Sequence, residues 1–288
     1  MSPAIMHPFI IAAVFLGPTL KPVFGASLLP YDESLVQHAL NQSQASYCVG
    51  IGDAWTCPTC NSDIILTDVL EQGGGRAIVG YDNSIASVFV AYRGSENIKN
   101  WIDNVKFLKT SPYADLPDVA VEKGFYKWYS GLKPLVDYAL LEASQAYGSN
   151  EVSITGHSAG AAVATLHAFD MARGDAATSG LTLKQVVTFG SPRVGDENFY
   201  AAHGAYLNST VAWRVTHNND MVPHVPQEFM GYHHVSTEVY YDEPSTAYKV
   251  CDGSGEDDNC SNSCAPSHCT SIDDHLDYLN TPLGSTSC

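Results

Sequence analysis

The stretch Glu151-Val-Ser-Ile-Thr-Gly156-His-Ser158-Ala-Gly160-Ala-Ala-Val-Ala-Thr-Leu166 leaves this chain few folds to choose from. A short apolar run, Val152 to Thr155, reads as a strand, and Ala159 to Ala172 reads as a small-residue helix. Between them stands Gly-x-Ser-x-Gly. A turn that sharp presses Ser158 into a strained, exposed position, and glycines at 156 and 160 leave room for close backbone packing. A serine hydroxyl is a weak nucleophile until a base takes its proton, so the pattern demands a histidine and an orienting acid elsewhere.

The rest of the chain supplies a matching frame. Apolar runs rich in Val and Ile recur at 76–81, 87–92, 152–155, 185–189, 211–215 and 235–241, with helical patterns at 126–147, 159–172 and 196–206. Strands alternating with helices imply a mostly parallel central sheet covered on both faces, with ligands at the carboxyl ends of the strands. The expectation is a single domain over residues 26–288, since no repeat or long linker divides them.

In this arrangement the acid and then the histidine follow the serine along the chain. Two aspartates come after later strands, Asp196 and Asp220. Asp220 is preferred because its loop, with Asn218, Asn219 and Pro223, can hold a carboxylate still. Downstream histidines are His224, His233, His234, His268 and His275. His224 would crowd Asp220, His233 and His234 begin an apparent strand, and His268 adjoins Cys269. His275 lies on a short terminal segment able to fold back over the sheet and is preferred as the base. An oxyanion hole needs two donors. The N–H of Ala159 is one, and Ser95, just after the strand ending at Tyr92, offers both N–H and hydroxyl for the other.

Composition removes other functions. Hydrophobic residues make up 45% of the 288 and charged residues 16%, which argues against disorder. With 31 acids against 14 bases and a net charge of −17, binding to nucleic acid or adsorption on anionic membranes is opposed by long-range repulsion. Residues 1–25, with the apolar run Phe9 to Leu16, read as a secretory signal peptide cleaved after Gly25, although a basic n-region is missing. That run is far shorter than the 20 or so residues that span a bilayer. Eight cysteines, Cys48, Cys57, Cys60, Cys251, Cys260, Cys264, Cys269 and Cys288, fit disulfides in a secreted, extracellular chain better than zinc, for which the spacing is weak. Asn41, Asn208 and Asn259 open N-glycosylation acceptor triplets.

Taken in order, Tyr92-Arg-Gly-Ser95, Asn100-Trp-Ile102, Gly124-Phe125, Gly156-His-Ser-Ala-Gly160, Thr188-Phe-Gly-Ser-Pro-Arg-Val-Gly195, Arg214-Val-Thr-His-Asn-Asn-Asp220 and Val222-Pro-His-Val-Pro226 resemble the fungal class 3 lipases, the family of the Rhizomucor and Thermomyces lipases. The resemblance runs from about Val79 to the C-terminus. It implies an α/β-hydrolase fold, ester hydrolysis with no metal or cofactor, Ser158, Asp220 and His275 as triad, and Ser95 with Ala159 as oxyanion hole. It also implies Cys48 paired with Cys288, Cys57 with Cys60 and Cys251 with Cys260, leaving Cys264 with Cys269. Two positions depart from the pattern: Ala159 replaces a usual leucine, and Glu122-Lys123 stands where a histidine often precedes Gly-Phe.

Feruloyl esterases and other soluble carboxylesterases share such a fold and triad, and a catalytically dead binding protein would keep the fold alone. The segment after Ser95 separates them. Ile98, Trp101, Ile102 and Val105 fall at i, i+3, i+4 and i+7, one apolar face of a short helix over 96–105. In lipases of the family the corresponding helix is a lid. A lipase acting as a monomer on acylglycerols at a lipid–water interface is therefore the leading expectation.

Overall fold

A computed structural model describes residues 30–48, 55–104, 106–265 and 267–288. The expected leader and its cleavage site lie outside those residues. In chain order the elements are α1 (Glu33–Ala45), β1 (Ile64–Gln72), β2 (Gly75–Asp82), β3 (Ser87–Tyr92), α2 (Ile98–Asn104), β4 (Lys109–Thr110), β5 (Val121–Glu122), α3 (Lys123–Tyr147) and β6 (Glu151–His157). There follow α4 (Ala159–Ala172), β7 (Thr182–Phe189), α5 (Glu197–Tyr206), β8 (Val211–His217), β9 (Glu238–Tyr241), β10 (Tyr248–Val250) and a terminal pair, β11 (Asp277–Tyr278) and β12 (Thr281–Pro282).

Eight strands form the main sheet in the order β1-β2-β3-β6-β7-β8-β9-β10. β3, β6, β7, β8 and β9 run parallel, while β1, β2 and β10 pair antiparallel at the margins. Side chains alternate across a strand, so neighbours on β7 enter different cores. Val186 joins Phe125, Leu140, Val163, Phe169 and Phe199 under α3, α4 and α5. Val187 joins Val36, Ala39, Leu40, Trp213 and Val215 under α1. Helices thus cover both faces, which is why β3 (SVFVAY) is buried at every position.

Among the boundaries that differ from the sequence expectation, three have a visible cause. α3 begins at Lys123, three residues before Tyr126, because the carboxylate of Glu122 accepts the Phe125 N–H at 2.7 Å and caps the helix. α5 begins at Glu197, since Asp196 is its cap. β9 begins at Glu238, not Val235. The chain before it is drawn to other partners: His233 bridges Gly195, and the Val235 carbonyl accepts from Arg214 Nε.

The disulfides are Cys48–Cys288, Cys57–Cys60, Cys251–Cys260 and Cys264–Cys269. The sulfurs grouped near His224 and near Asp257 are therefore bonded to one another and offer no thiolate for a zinc ion. The first of the four closes 240 residues and fastens the chain end beside α1.

Candidate active site

Ser158 sits where β6 turns into α4, with φ 60° and ψ −132°. Positive φ in a residue with a Cβ costs on the order of 1–2 kcal/mol. The surroundings leave no relaxed alternative. A Cβ at Gly156 would lie 2.5 Å from the Gly160 carbonyl oxygen, and one at Gly160 would lie 2.2 Å from that of Tyr92. The Ser158 N–H donates to the Phe189 carbonyl at 2.9 Å. Although Ser158 occupies the cap position of α4, its hydroxyl makes no capping bond, and Oγ has no hydrogen-bond partner.

Asp220 and His275 arrive from opposite directions. Asp220 follows β8 and accepts three hydrogen bonds: from His275 Nδ1 at 2.8 Å, from the Tyr278 hydroxyl at 2.5 Å and from the Val222 N–H at 2.8 Å. Burial and the Asp220 charge push the Tyr278 phenol well above its usual pKa, so it remains a donor. With Nδ1–H given to Asp220, the His275 ring leaves Nε2 as its open acceptor, and that atom is also unpartnered. His275 is on a single 3₁₀ turn, 274–276. The loop before β9 grips that turn through Asp274, whose carboxylate accepts the Asn219 N–H and the Asn218 amide, each at 3.0 Å. Gly190, at φ +54°, lies against the pair: a Cβ there would stand 2.8 Å from His275 Nδ1 and 2.9 Å from Asp220 Oδ2.

Behind these groups runs a buried chain of hydrogen bonds. The Gly94 N–H donates to the Tyr47 hydroxyl at 3.1 Å, and that hydroxyl lies 2.7 Å from His157 Nδ1. His157 Nε2 is 2.9 Å from the His275 carbonyl oxygen. Only one proton assignment satisfies all three contacts: Tyr47 donates to Nδ1, and Nε2–H donates to the carbonyl. Burial, with the nearby His275 ring, holds His157 well below its usual pKa and hence neutral. This chain joins the loop carrying Ser95, the serine turn and the segment carrying His275.

Ser95 lines an open cleft of about 630 Å³ with Gln72, Gly74, Arg93, Trp101, Phe125 and Trp128. Ala159 opens α4, where the first amides have no carbonyl within the helix to bond. Glu122, the departure noted above, is buried, and burial raises its pKa even though it caps α3. The helix expected over 96–105 spans Ile98–Asn104, because the Asn97 side chain and carbonyl accept the Asn100 and Trp101 N–H groups and set its start. Ile98 is buried, Ile102 is half-buried, and Trp101 is half-buried and stacked on Phe125 with centroids 5.9 Å apart. Val105 lies outside the described residues. Ser158 and His275 are wholly buried, and Asp220 is 2% exposed.

The other candidates have other partners. Asp196 accepts the Phe199 N–H as the cap of α5. His234 Nε2 meets the Pro223 carbonyl, His233 Nε2 meets that of Ser254, His224 lies against Cys264, and His268 meets Ser267. Sequence reasoning missed Tyr47, His157 and Tyr278 as parts of the site, and passed over Gly190 although it stands in a quoted motif.

A profile described as Lipase (class 3) matches residues 89–230. The lipase of Rhizomucor miehei is 33% identical over 84% of this chain and 67% of its own length. A secreted mono- and diacylglycerol lipase of Penicillium cyclopium is 31% identical over 77% and 75%. The solved Rhizomucor miehei triacylglyceride lipase superposes with a TM-score of 0.79 at 29% identity, over 88% of this chain and 96% of that one.

Proposed function

The chain belongs to the class 3 lipases, carboxylic ester hydrolases of the triacylglycerol-lipase type, and we propose that it is a secreted enzyme that cleaves acylglycerols beneath a movable helix α2. Ser158 Oγ attacks the ester carbonyl while His275 Nε2 takes its proton, and Asp220 steadies the imidazolium through Nδ1–H. Negative charge gathering on the carbonyl oxygen is met by the Ala159 N–H and by Ser95. The proton passes from His275 to the departing glycerol oxygen. Water, deprotonated by the same ring, then attacks the acyl carbon and frees the fatty acid.

The observation that carries the lid is the complete burial of Ser158 with its Oγ unpartnered. A nucleophile without access must be uncovered before it reacts, and α2 follows directly on Ser95. Each large apolar side chain lifted from cover into water costs about 1.5–3 kcal/mol. Exposing Ile98, Trp101 and Ile102 together therefore makes opening rare in water and favourable against oil. Secretion is supported by the apolar leader, by four disulfides and by the secreted Penicillium relative.

One preparation assayed on emulsified triacylglycerol, diacylglycerol, methyl ferulate and a soluble short-chain ester tests this. The triacylglycerol rate should rise disproportionately once substrate passes its solubility limit, and Trp101→Ala should lower that rate much more than the rate on the soluble ester. Simple saturation with equal losses would make α2 a fixed wall. A preference for methyl ferulate would transfer the substrate to the soluble-ester class.

A further inference from the structure

Acid and base are unevenly distributed in this chain. Residues 93–133 hold seven of the 14 bases against only five of the 31 acids. Five of those bases, Lys99, Lys106, Lys109, Lys123 and Lys127, are exposed. Lys109, Lys123 and Lys127 gather at one place, with Lys106 just before it in the chain. The Lys123 N–H donates to the Leu108 carbonyl, the Lys109 ammonium donates to the Gly231 carbonyl at 2.6 Å, and Lys127 stands one turn along α3 from Lys123, on the rim of the cleft beside Ser95. The neighbouring acids are largely engaged: Glu96 with Arg93, Asp115 with Arg173, Glu228 with Arg193, and Glu122 inside the α3 cap.

Among these lysines stand bare apolar side chains. Phe229 is 88% exposed, Leu108 57% and Met230 39%. Gly231, next to Met230, is held by Lys109, and Leu108 is next to that lysine, so the three belong to a single rim. Apolar side chains interleaved with lysines suit a lipid surface that carries negative charge.

Resting on the lipase reading above, we propose that this rim docks the enzyme on an oil surface bearing ionised fatty acid, the product of its own reaction. Each ester cleaved leaves a carboxylate at the interface, so the surface becomes more anionic as lipolysis proceeds, and a protein of net charge −17 would be driven from it. Charge acts at contact, however, over a Debye length of about 8–10 Å at physiological salt. Within that distance the surface meets the lysine rim and is screened from the acids elsewhere. The overall repulsion expected from composition is corrected locally by where the bases lie.

Partition onto vesicles tests this without turnover, using Ser158→Ala so that the surface stays constant. Neutral phosphatidylcholine vesicles are compared with the same vesicles containing oleate at pH 9. The chain should favour the oleate vesicles by at least about tenfold at physiological salt and lose that preference near 1 M, where the Debye length is about 3 Å. Lys106→Gln with Lys123→Gln should weaken binding to oleate vesicles by about 25-fold, roughly fivefold per lysine, and leave binding to neutral vesicles unchanged. Phe229→Ser should weaken binding to both. Equal or weaker binding to oleate vesicles, or a double variant that binds like its parent, overturns the proposal. Because no ester is cleaved in this assay, its result is separate from that of the triacylglycerol assay.

Discussion

Tyr47→Phe removes one hydroxyl and nothing else, yet it should damage both stability and catalysis. Tyr47 is 1% exposed, and its oxygen serves the Gly94 N–H and His157 Nδ1 at once. Phenylalanine fills the same space while leaving a buried N–H and a buried ring nitrogen unpaired. Each such orphan costs about 1–3 kcal/mol, so the pair should cost about 2–6 kcal/mol. For a chain of this size, 1 kcal/mol moves the melting temperature by about 2–4 °C, which puts the loss on the order of 10 °C. Catalysis suffers through geometry, because His157 holds the His275 carbonyl and Gly94 adjoins Ser95. A displacement of an ångström at such a site costs about a hundredfold. On a soluble ester, kcat should fall 10- to 100-fold with KM nearly constant, and His157→Leu combined with Tyr47→Phe should cost little more than the worse single change. Calorimetry showing a melting temperature within 2 °C of the parent, with kcat within twofold, would refute the idea that this chain of hydrogen bonds positions anything.

Asp220→Asn should keep the fold but lower kcat by about four orders of magnitude, because the amide cannot hold the imidazolium; a loss of that size in Asp196→Asn instead would move the acid to the cap of α5. Gly190→Ala sets a methyl 2.8 Å from His275 Nδ1, so kcat should drop about a hundredfold with the disulfides intact; an active variant would show that the His275 segment can yield. Cys288→Ser opens a closure of 240 residues worth up to about 5 kcal/mol in chain-entropy terms, and esterase activity should be lost on heating before global unfolding. Burial lowers the pKa of His203 to about 3 and that of His224 to about 4, against 6.5 unfolded. The unfolded state therefore binds the extra protons, and stability falls as pH drops below about 6.5, until about pH 4 for His224 and about pH 3 for His203. His203→Leu should flatten that slope in pH-dependent urea melts.

The parts legible in the sequence were those where a local pattern and a tertiary demand coincide. β3 and α4 fall on the residues that their patterns mark, since β3 is buried at every position and α4 everywhere but Asp170 and Ala172. α1 was invisible for the opposite reason. ESLVQHALNQSQA shows little apolar periodicity because Gln42 and Ser43, though buried, are there to bond Asp82 and Thr155. β1 alternates only in part, being the outer strand with half its residues towards water. For Asp220 and His275 the signals were chain order and loop composition. Tyr47 and His157 gave none, because a bond between residues 110 apart leaves no trace in either neighbourhood.

His275 raises a physical question of its own, since its imidazole must be held within tenths of an ångström by one 3₁₀ turn at the chain's end. A turn of that length has almost no stability alone. The surroundings provide what it lacks. Asp274 is bonded to Asn218 and Asn219, the loop that also carries Asp220, so acid and base move as one body. Two residues past Leu276, Tyr278 bonds Asp220 and packs its ring 5.8 Å from Phe189 and 6.0 Å from His157, touching strands β7 and β6. The β11–β12 hairpin then returns Leu283 to donate to the Leu276 carbonyl at 2.8 Å, and Cys288 ends the chain in a bond to Cys48, one residue from Tyr47. Removing the residues after Leu279 would leave all three side chains of the proposed triad in the sequence. It would also take away the hairpin and the disulfide that hold the third in place, so such a truncation should lose activity at temperatures where its central sheet is still folded.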